Sequence, residues 1–454
     1  VHEVLIEKGY VDVANAYILF FQSTEKRERM KDFFGVRDDL HLGMNAMWLL
    51  VDRYLQKTSN GKNMETPREL LSRVAKAVAT KEKQYGTSSR EIAQIQEWFY
   101  DIMANKAFFP NPSLFLCAGL SKTQISNQLI PEQSKAFKKM GVCVVQVSKK
   151  RTYKKNCSIT TQDSFMNAAK EIRDSEGGRI IFVDEGQQKK SIQAIEKQDV
   201  LRTDEINYGS INLAAFLKGV PTKGSVDWGL LRQVVQGAVR FLDNVIDVHQ
   251  YSSTKQKKHA KEKREIGLGV MGFAELLVHV GVAYDSPAAL EEAQRVMQYI
   301  RKEALRTSEQ LAIKRGEYVL GKGEKQRKKK FRNQSVITLI SSQELSLLAD
   351  CSRGIDPFST IGSYEKGISG ADLLQSSRLF EKTARHFGFW NSHLLHQIVK
   401  TGSVQGLSEI PKRLQKLFKT AVEISPKKQI ALQAAFEKCA DGIVEQRIVV
   451  PQSY

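Results

Sequence analysis

The chain has 454 residues, 41% hydrophobic and 26% charged, which argues against wholesale disorder and leaves room for a large core and two or three domains. Sixty-nine lysines and arginines against 50 acidic residues leave a formal charge of +19, an excess that concentrates polyanions at the surface whatever the fold. Five cysteines, at 117, 143, 157, 351 and 439, are odd in number, scattered and without CxxC or zinc-ligand spacing. This argues against a disulfide framework and for a reducing intracellular compartment, the cytoplasm or an organelle matrix such as that of the mitochondrion. The longest apolar segment, LGVMGFAELLVHVGVAY, is interrupted by Glu275 and His279, so no membrane span is expected. The sequence from Val1 reads as folded and shows no signal-peptide pattern.

Residues 10–28 carry one helix's worth of mixed apolar and charged positions. From Leu40 to about Tyr100 the periodicity is helical: NAMWLLVDRYL, TPRELLSRVAKAVA and REIAQIQEWFYDIMA set apolar residues three and four apart. In the second, Thr66 is placed to cap, Pro67 takes the first helical position and Glu69 falls three after the cap. Two prolines in AFFPNPSLFLCAGL end the helices, and between about 120 and 210 the strand signals are short, GVCVVQV and RIIFVD. Next, VDWGLLRQVVQGAVRFLDNVIDVHQY predicts a helix with Leu230, Val234, Val235, Ala238, Leu242, Val245 and Ile246 on its buried face. REIGLGVMGFAELL follows as strand, turn and helix. Residues 336–340 form a strand-like run, and a Gly-Ile-Asp-Pro turn closes that stretch at Pro357.

At VRFLDNVIDVHQY and REIGLGVMGFAELL the chain resembles the large, catalytic chain of ribonucleotide reductases, in wording its adenosylcobalamin-dependent class II branch. FFPNPSLFLCAG resembles the family's P-sP-tL-NAG segment, GSINLAAFL its C-N-L-G-S-I-N-L segment, and RNQSV stands where the family has RNAT. The resemblance covers most of residues 30–120 and 205–454. It implies an α/β fold in which a helical N-terminal domain, residues 31–120, precedes a truncated reductase-type α/β barrel, residues 121–454. Residues 1–30 are expected to be a remnant of the last helix of an ATP-cone.

The departures from the family pattern decide the expected function. The family's radical cysteine lies in an N-P-C-G-E loop just before the segment matching Gly209 to Leu213. Here that region reads SIQAIEKQDVLRTDEINY, which keeps Glu196 and Glu205 but has no cysteine. Abstracting hydrogen from a ribose carbon needs a thiyl radical, and no other side chain in this window supplies one. The family's second cysteine pair would place one partner at Cys143 and the other at Ile206, where the thiol is lost. GVCVVQV also runs into NCSITTQDSFMNA after about ten residues, so several barrel strands, including those lining the nucleoside pocket and the corrin face, are expected to be deleted. Finally, the family's phosphate loop, A-P-T-G-T-I-S, reads Ile340, Ser341, Ser342, Gln343, Glu344, Leu345, Ser346. Its glycine is gone, and Glu344 brings negative charge to where a diphosphate would sit.

Other candidates have structural readings. Asp243 and Asp247, one turn apart, suit an acid–base or metal pair, but their amphipathic helix favours capping or packing. His386, His393 and His396 lack an acidic partner at ligand spacing, and no metal is expected. Cys117, Cys351 and Cys439 are expected as small core residues. Two basic blocks are expected in loops: KQKKHAKEKR, with Lys255, Lys257, Lys258, Lys261, Lys263 and Arg264, and KQRKKKFR, with Lys325, Arg327, Lys328, Lys329, Lys330 and Arg332. Almost no aromatics interleave them, which points to phosphate-backbone contact rather than base stacking. The sequence therefore reads as a reductase homologue without catalytic residues or cofactor, binding RNA or a ribonucleoprotein assembly such as a ribosome, with oligomers formed through helical surfaces. The competing expectation is an active ribonucleoside-diphosphate reductase that makes deoxyribonucleotides with adenosylcobalamin.

Overall fold

The computed structural model describes residues 35–120 except 59, 207–249, 251, 254–320, 330–366 and 372–448, with the backbones of two further strands at 143–147 and 178–182. The expected cone remnant, Cys157, Glu196, Glu205, Ile206 and the positions from Lys325 to Lys329 lie outside the described residues.

The helical part begins with α1 (Met44–Leu49), which passes into a π-helical turn at Leu50–Tyr54, so NAMWLLVDRYL is a regular helix only in its first half. α2 (Pro67–Ala79) starts on the expected capping box: Thr66 Oγ1 accepts from the Glu69 amide and the Glu69 carboxylate accepts from the Thr66 amide. Ser88 and Glu91 repeat the device at α3 (Ser89–Ala104). Leu70, Leu71, Val74 and Val78 of α2 and Ile95, Phe99, Ile102 and Met103 of α3 turn into one core.

β1 (Phe108–Pro110), α4 (Ser113–Cys117), β2 (Cys143–Val147) and β3 (Gly178–Phe182) lead to β4 (Asn207–Asn212). A small hairpin, β5 (Leu217–Lys218) and β6 (Ser225–Val226), precedes α5 (Trp228–Val248), which Asp227 caps by accepting from the Leu230 amide at 3.1 Å. Six of the seven expected core positions of α5 are buried. The exception is Leu230, 42% exposed, and its neighbour Leu231 is buried instead. After the cap the first turn points its leading leucine outward, so the apolar stripe begins one residue later than the spacing suggested.

α6 (Thr254–Lys263) is followed by β7 (Ile266–Met271), buried at every position as a central strand requires. Gly272, at φ 74°, makes the turn into α7 (Phe273–Val280); a Cβ there would lie 2.7 Å from Asn212 Oδ1. The remaining elements are α8 (Pro287–Arg315), α9 (Gln343–Ala349), β8 (Gly362–Lys366), β9 (Asp372–Ser376), α10 (Arg378–His386), α11 (Ser392–Thr401), α12 (Lys412–Leu417), α13 (Pro426–Glu437) and β10 (Val444–Ile448).

Two three-stranded sheets form the barrel part, ordered β1-β4-β7 and β10-β2-β3. β4 and β7 run parallel; β1 is antiparallel to β4, and β2 is antiparallel to both β10 and β3. The strand-like run at 336–340 joins them. Leu268 donates to the Val336 carbonyl at 2.9 Å on one side, and Leu339 donates to the Ile443 carbonyl at 2.9 Å on the other. Parallel bridges Leu268↔Ile337 and Leu339↔Val444 fix its register. The strands thus make one continuous row, β1-β4-β7-(336–339)-β10-β2-β3. Among the described residues no strand joins β1 to β3, so the row stays open, as a barrel shortened by deletion would. α5 packs on β4 and β7, α13 on β10, and α8 lies against both helices. The main core contains residues of the helical part and of the row together, so the two share one interior.

Candidate functional site

The run at 336–340 leaves the row and turns into α9, whose cap is Ser342: its Oγ accepts from the Leu345 amide at 3.3 Å. The segment that resembles a phosphate loop therefore occupies the crossing between row and helix. Several of its polar groups are engaged within the chain. The Ser341 amide donates to the Glu445 carboxylate at 3.2 Å, Ser341 Oγ accepts from Arg353 Nε at 2.8 Å, and Ser346 Oγ donates to the Gln343 carbonyl at 2.8 Å. Glu344, in the first turn of α9, pairs with Arg53 and accepts from the Tyr54 hydroxyl at 2.6 Å. The Ser341 amide thus faces a carboxylate of the same chain.

The electrostatics agree. Burial pushes Glu445 above the ordinary carboxylate range, against the Ser341 amide and the Arg353 charge. Burial also raises Asp356 to about 7, although Arg353 lies 3.9 Å away and the Arg447 amide donates to it at 3.0 Å. Burial, then the bond to Glu344, raises the Tyr54 hydroxyl and keeps it protonated. Carboxylates already raised by desolvation would lose further by sharing their surroundings with a diphosphate.

Sequence reasoning found Glu344 but missed Glu445, Asp356, Arg353, Arg53 and Tyr54. A signal existed for the first. In β10 the strand alternation buries Val444, Gln446 and Ile448 and puts Glu445 and Arg447 together on the other face. Cys143 opens β2, in register with Ile448 and Phe182. Cys439 is buried in the core, as expected, whereas Cys117 and Cys351 are only half-buried. Burial, then Glu275 and Asp350, raises the Cys351 thiol well above its usual range, which makes it a poor source of thiolate.

Asp243 and Asp247 form no cap; as the packing reading expected, both carboxylates are packed into a buried network of ion pairs. Asp243, fully buried, accepts from Arg264 Nε at 2.7 Å, Arg315 Nη1 at 2.8 Å and Asn333 Nδ2 at 3.1 Å. Asp247 accepts from Arg264 Nη2 at 2.9 Å and the Tyr85 hydroxyl at 2.8 Å. Glu82 extends the network, taking Arg240 through two bonds of 2.8 and 2.9 Å, Asn244 at 2.8 Å and Arg315 at 2.5 Å. Against the cost of burial, the Arg240 bond, the Arg315 charge and the Asn244 bond hold Glu82 at about 2. The network ties the turn after α2 to α5, α8 and the start of the 336–340 run.

It also corrects the basic blocks. Arg264 and Arg332 are buried, 3% and 7% exposed, and neither can serve a polyanion. Arg332 donates to the carbonyls of Arg315 and Gly316 and to the Tyr85 hydroxyl. The first block is not a loop but α6, with Lys255, Lys257, Lys258 and Lys261 exposed and Lys263 half-buried. Of the second block, only Lys330 is both described and exposed, and it donates to Glu317 at 3.1 Å. No group of histidines, cysteines and acids able to hold a metal occurs among the described residues. Among them, too, no helix is long and apolar enough to cross a membrane.

Two family models match the chain in order: the ribonucleotide reductase all-alpha domain over residues 40–123, and the ribonucleotide reductase barrel domain over 197–331 and 323–444. The chain belongs to the ribonucleotide reductase large-chain family. A vitamin B12-dependent ribonucleoside-diphosphate reductase of Mycobacterium tuberculosis (strain ATCC 25618 / H37Rv) is 28% identical over 564 positions, covering 98% of this chain and 79% of that protein. A reductase of the same name from Thermoplasma acidophilum is 25% identical over 613 positions, covering 97% and 79%. Both alignments run more than a hundred positions beyond the 454 residues of this reductase homologue, so those relatives carry stretches without a counterpart here. The class Id ribonucleotide reductase alpha subunit of Actinobacillus ureae shares the fold, with a TM-score of 0.53 at 16% identity over 90% of this chain and 91% of that one.

Proposed function

We propose that this reductase homologue has lost radical catalysis and serves as a structural or binding protein within a nucleic-acid-containing assembly such as a ribosome. The observation that carries the first half is the bond from the Ser341 amide to Glu445, with Glu344 held by Arg53 and Tyr54 beside it. Internal carboxylates take the place in which an incoming phosphate would need donors. The sequence adds a second loss, since no cysteine lies between Cys157 and Cys351. The domain division we favour is a cone remnant at 1–30, a helical domain at 31–120 and a shortened barrel at 121–454.

The relatives' names raise a vitamin B12 cofactor, and the described residues of this chain do not fit it. Radical generation from that cofactor serves a thiol beside the substrate, and the described thiols stand elsewhere: Cys117 at the end of α4, Cys351 behind α9 with its proton held, and Cys439 in the core beyond α13. No reaction step is assigned to it. Equilibrium dialysis against a labelled ribonucleoside diphosphate tests the closed loop, and no saturable binding at millimolar nucleotide is expected. Sedimentation of native lysate tests the assembly role: the protein is expected with large ribonucleoprotein fractions and is expected to leave them after ribonuclease treatment. Saturable nucleotide binding, or sedimentation as a free chain throughout, would contradict the respective half.

A further inference from the structure

We infer that α6 is a docking helix for the phosphate backbone of double-helical RNA, and that its two ends divide the work. This rests on the binding role proposed above and assigns it to one element. The C-terminal end is the anchor. Arg264, just past the helix, is fixed by Asp243 and Asp247; Lys261 lies 3.7 Å from Asp247; the Glu262 carbonyl accepts from Val319 and the Lys263 carbonyl from Gln334. The N-terminal end is the presenting end: Lys255, Lys257 and Lys258 are exposed there, Lys255 and Lys258 on one face, and no residue of the helix is fully buried.

Only Ala260 of this ten-residue helix packs against the core, no residue of it is fully buried, and what it displays is cations. The only acid on it, Glu262, sits at the anchored end, 3.9 Å from Lys258. Nor does it carry an apolar face: Ala260 is its single aliphatic residue, so it cannot seat itself in the acyl boundary of a bilayer as an amphipathic helix does. His259 is its single ring able to stack on a base, against the several that a single-strand platform uses, and it has no arginine for bidentate readout of guanine. Compact ammonium groups along a rigid rod suit backbone phosphates of a duplex, recognised by shape rather than sequence.

The test uses the full chain and fluorescence anisotropy with an RNA duplex longer than two helical turns, between about 50 and 200 mM salt. The variant Lys255→Gln/Lys257→Gln/Lys258→Gln is expected to keep its thermal midpoint, since these side chains are exposed, and to lower the salt slope by about 2, near 0.9 for each phosphate that the Lys255 and Lys258 face no longer neutralises. Replacing the same three lysines by arginine is expected to restore the slope. Unchanged affinity and slope in the glutamine variant would overturn the assignment to α6 while leaving a binding role at other residues. Preference for a DNA duplex, or binding to phosphatidylserine vesicles in place of RNA, would overturn the RNA assignment. No binding by the wild type to any of these probes would overturn the polyanion role itself, and the closed-loop reading would stand independently.

Discussion

The carboxylate of Glu344 meets partners nearly three hundred residues earlier in the chain, which explains why its presence was legible in the sequence and its purpose was not. A glutamate in a phosphate loop is visible by comparison with the family pattern; Arg53 and Tyr54 become relevant only once the helical part is folded against α9. Glu344→Ala is expected to cost about 1–2 kcal/mol, read by urea denaturation, because the pair is half-exposed but leaves two polar groups unmatched. Asp243→Asn is expected to cost more, about 3–5 kcal/mol by the same measurement, since Arg264, Arg315 and Arg332 would then share a buried site without its charge. Asp356 gives a pH signature. With its folded value raised from 3.8 to about 7, it stays protonated in the fold where the unfolded chain has ionised it. Its contribution is therefore complete below about pH 4 and is lost as pH rises through about 7. Asp356→Asn, which can still accept from the Arg447 amide, should match the wild type at pH 4 and exceed it by roughly 2–4 kcal/mol at pH 8. Equal stability of the two proteins at pH 8 would refute the assignment.

At the scale of elements, legibility followed local physics. The capping box at Thr66 and the apolar faces of α2, α3 and α5 are properties of neighbouring residues, and they could be read directly. α6 could not. Its composition gives a helix no apolar stripe, and its structure depends on the anchor at Arg264 and on bonds from Val319 and Gln334 that only the folded chain supplies. The run at 336–340 was legible as a strand but not as a joint between two sheets. That joint is pinned by Asp441, whose carboxylate accepts from the amides of Val336 at 2.9 Å and Ile337 at 3.1 Å. Asp441→Ala is expected to speed hydrogen exchange of the 336–340 amides by at least tenfold, while those of α2 and α3 keep their protection. Uniform exchange across all three segments would mean that the joint is held by packing alone.

For the molecule as a whole, the helical part and the half-barrel share one core, so a row of strands left open among the described residues still rests on a common interior. The row of strands from β1 to β3 is open among the described residues, and where the 336–340 run turns into α9 the Ser341 amide is bonded to Glu445 and the Glu344 carboxylate to Tyr54. The proposed loss of radical catalysis rests on a phosphate-loop segment whose Ser341 amide and Glu344 carboxylate are bonded within the chain, and on a sequence without cysteine between Cys157 and Cys351. The most direct test is turnover. The full chain, incubated with adenosylcobalamin, a dithiol and each of the four ribonucleoside diphosphates, is expected to form no deoxyribonucleotide above a protein-free blank. Deoxyribonucleotide that accumulates in proportion to protein would contradict the account.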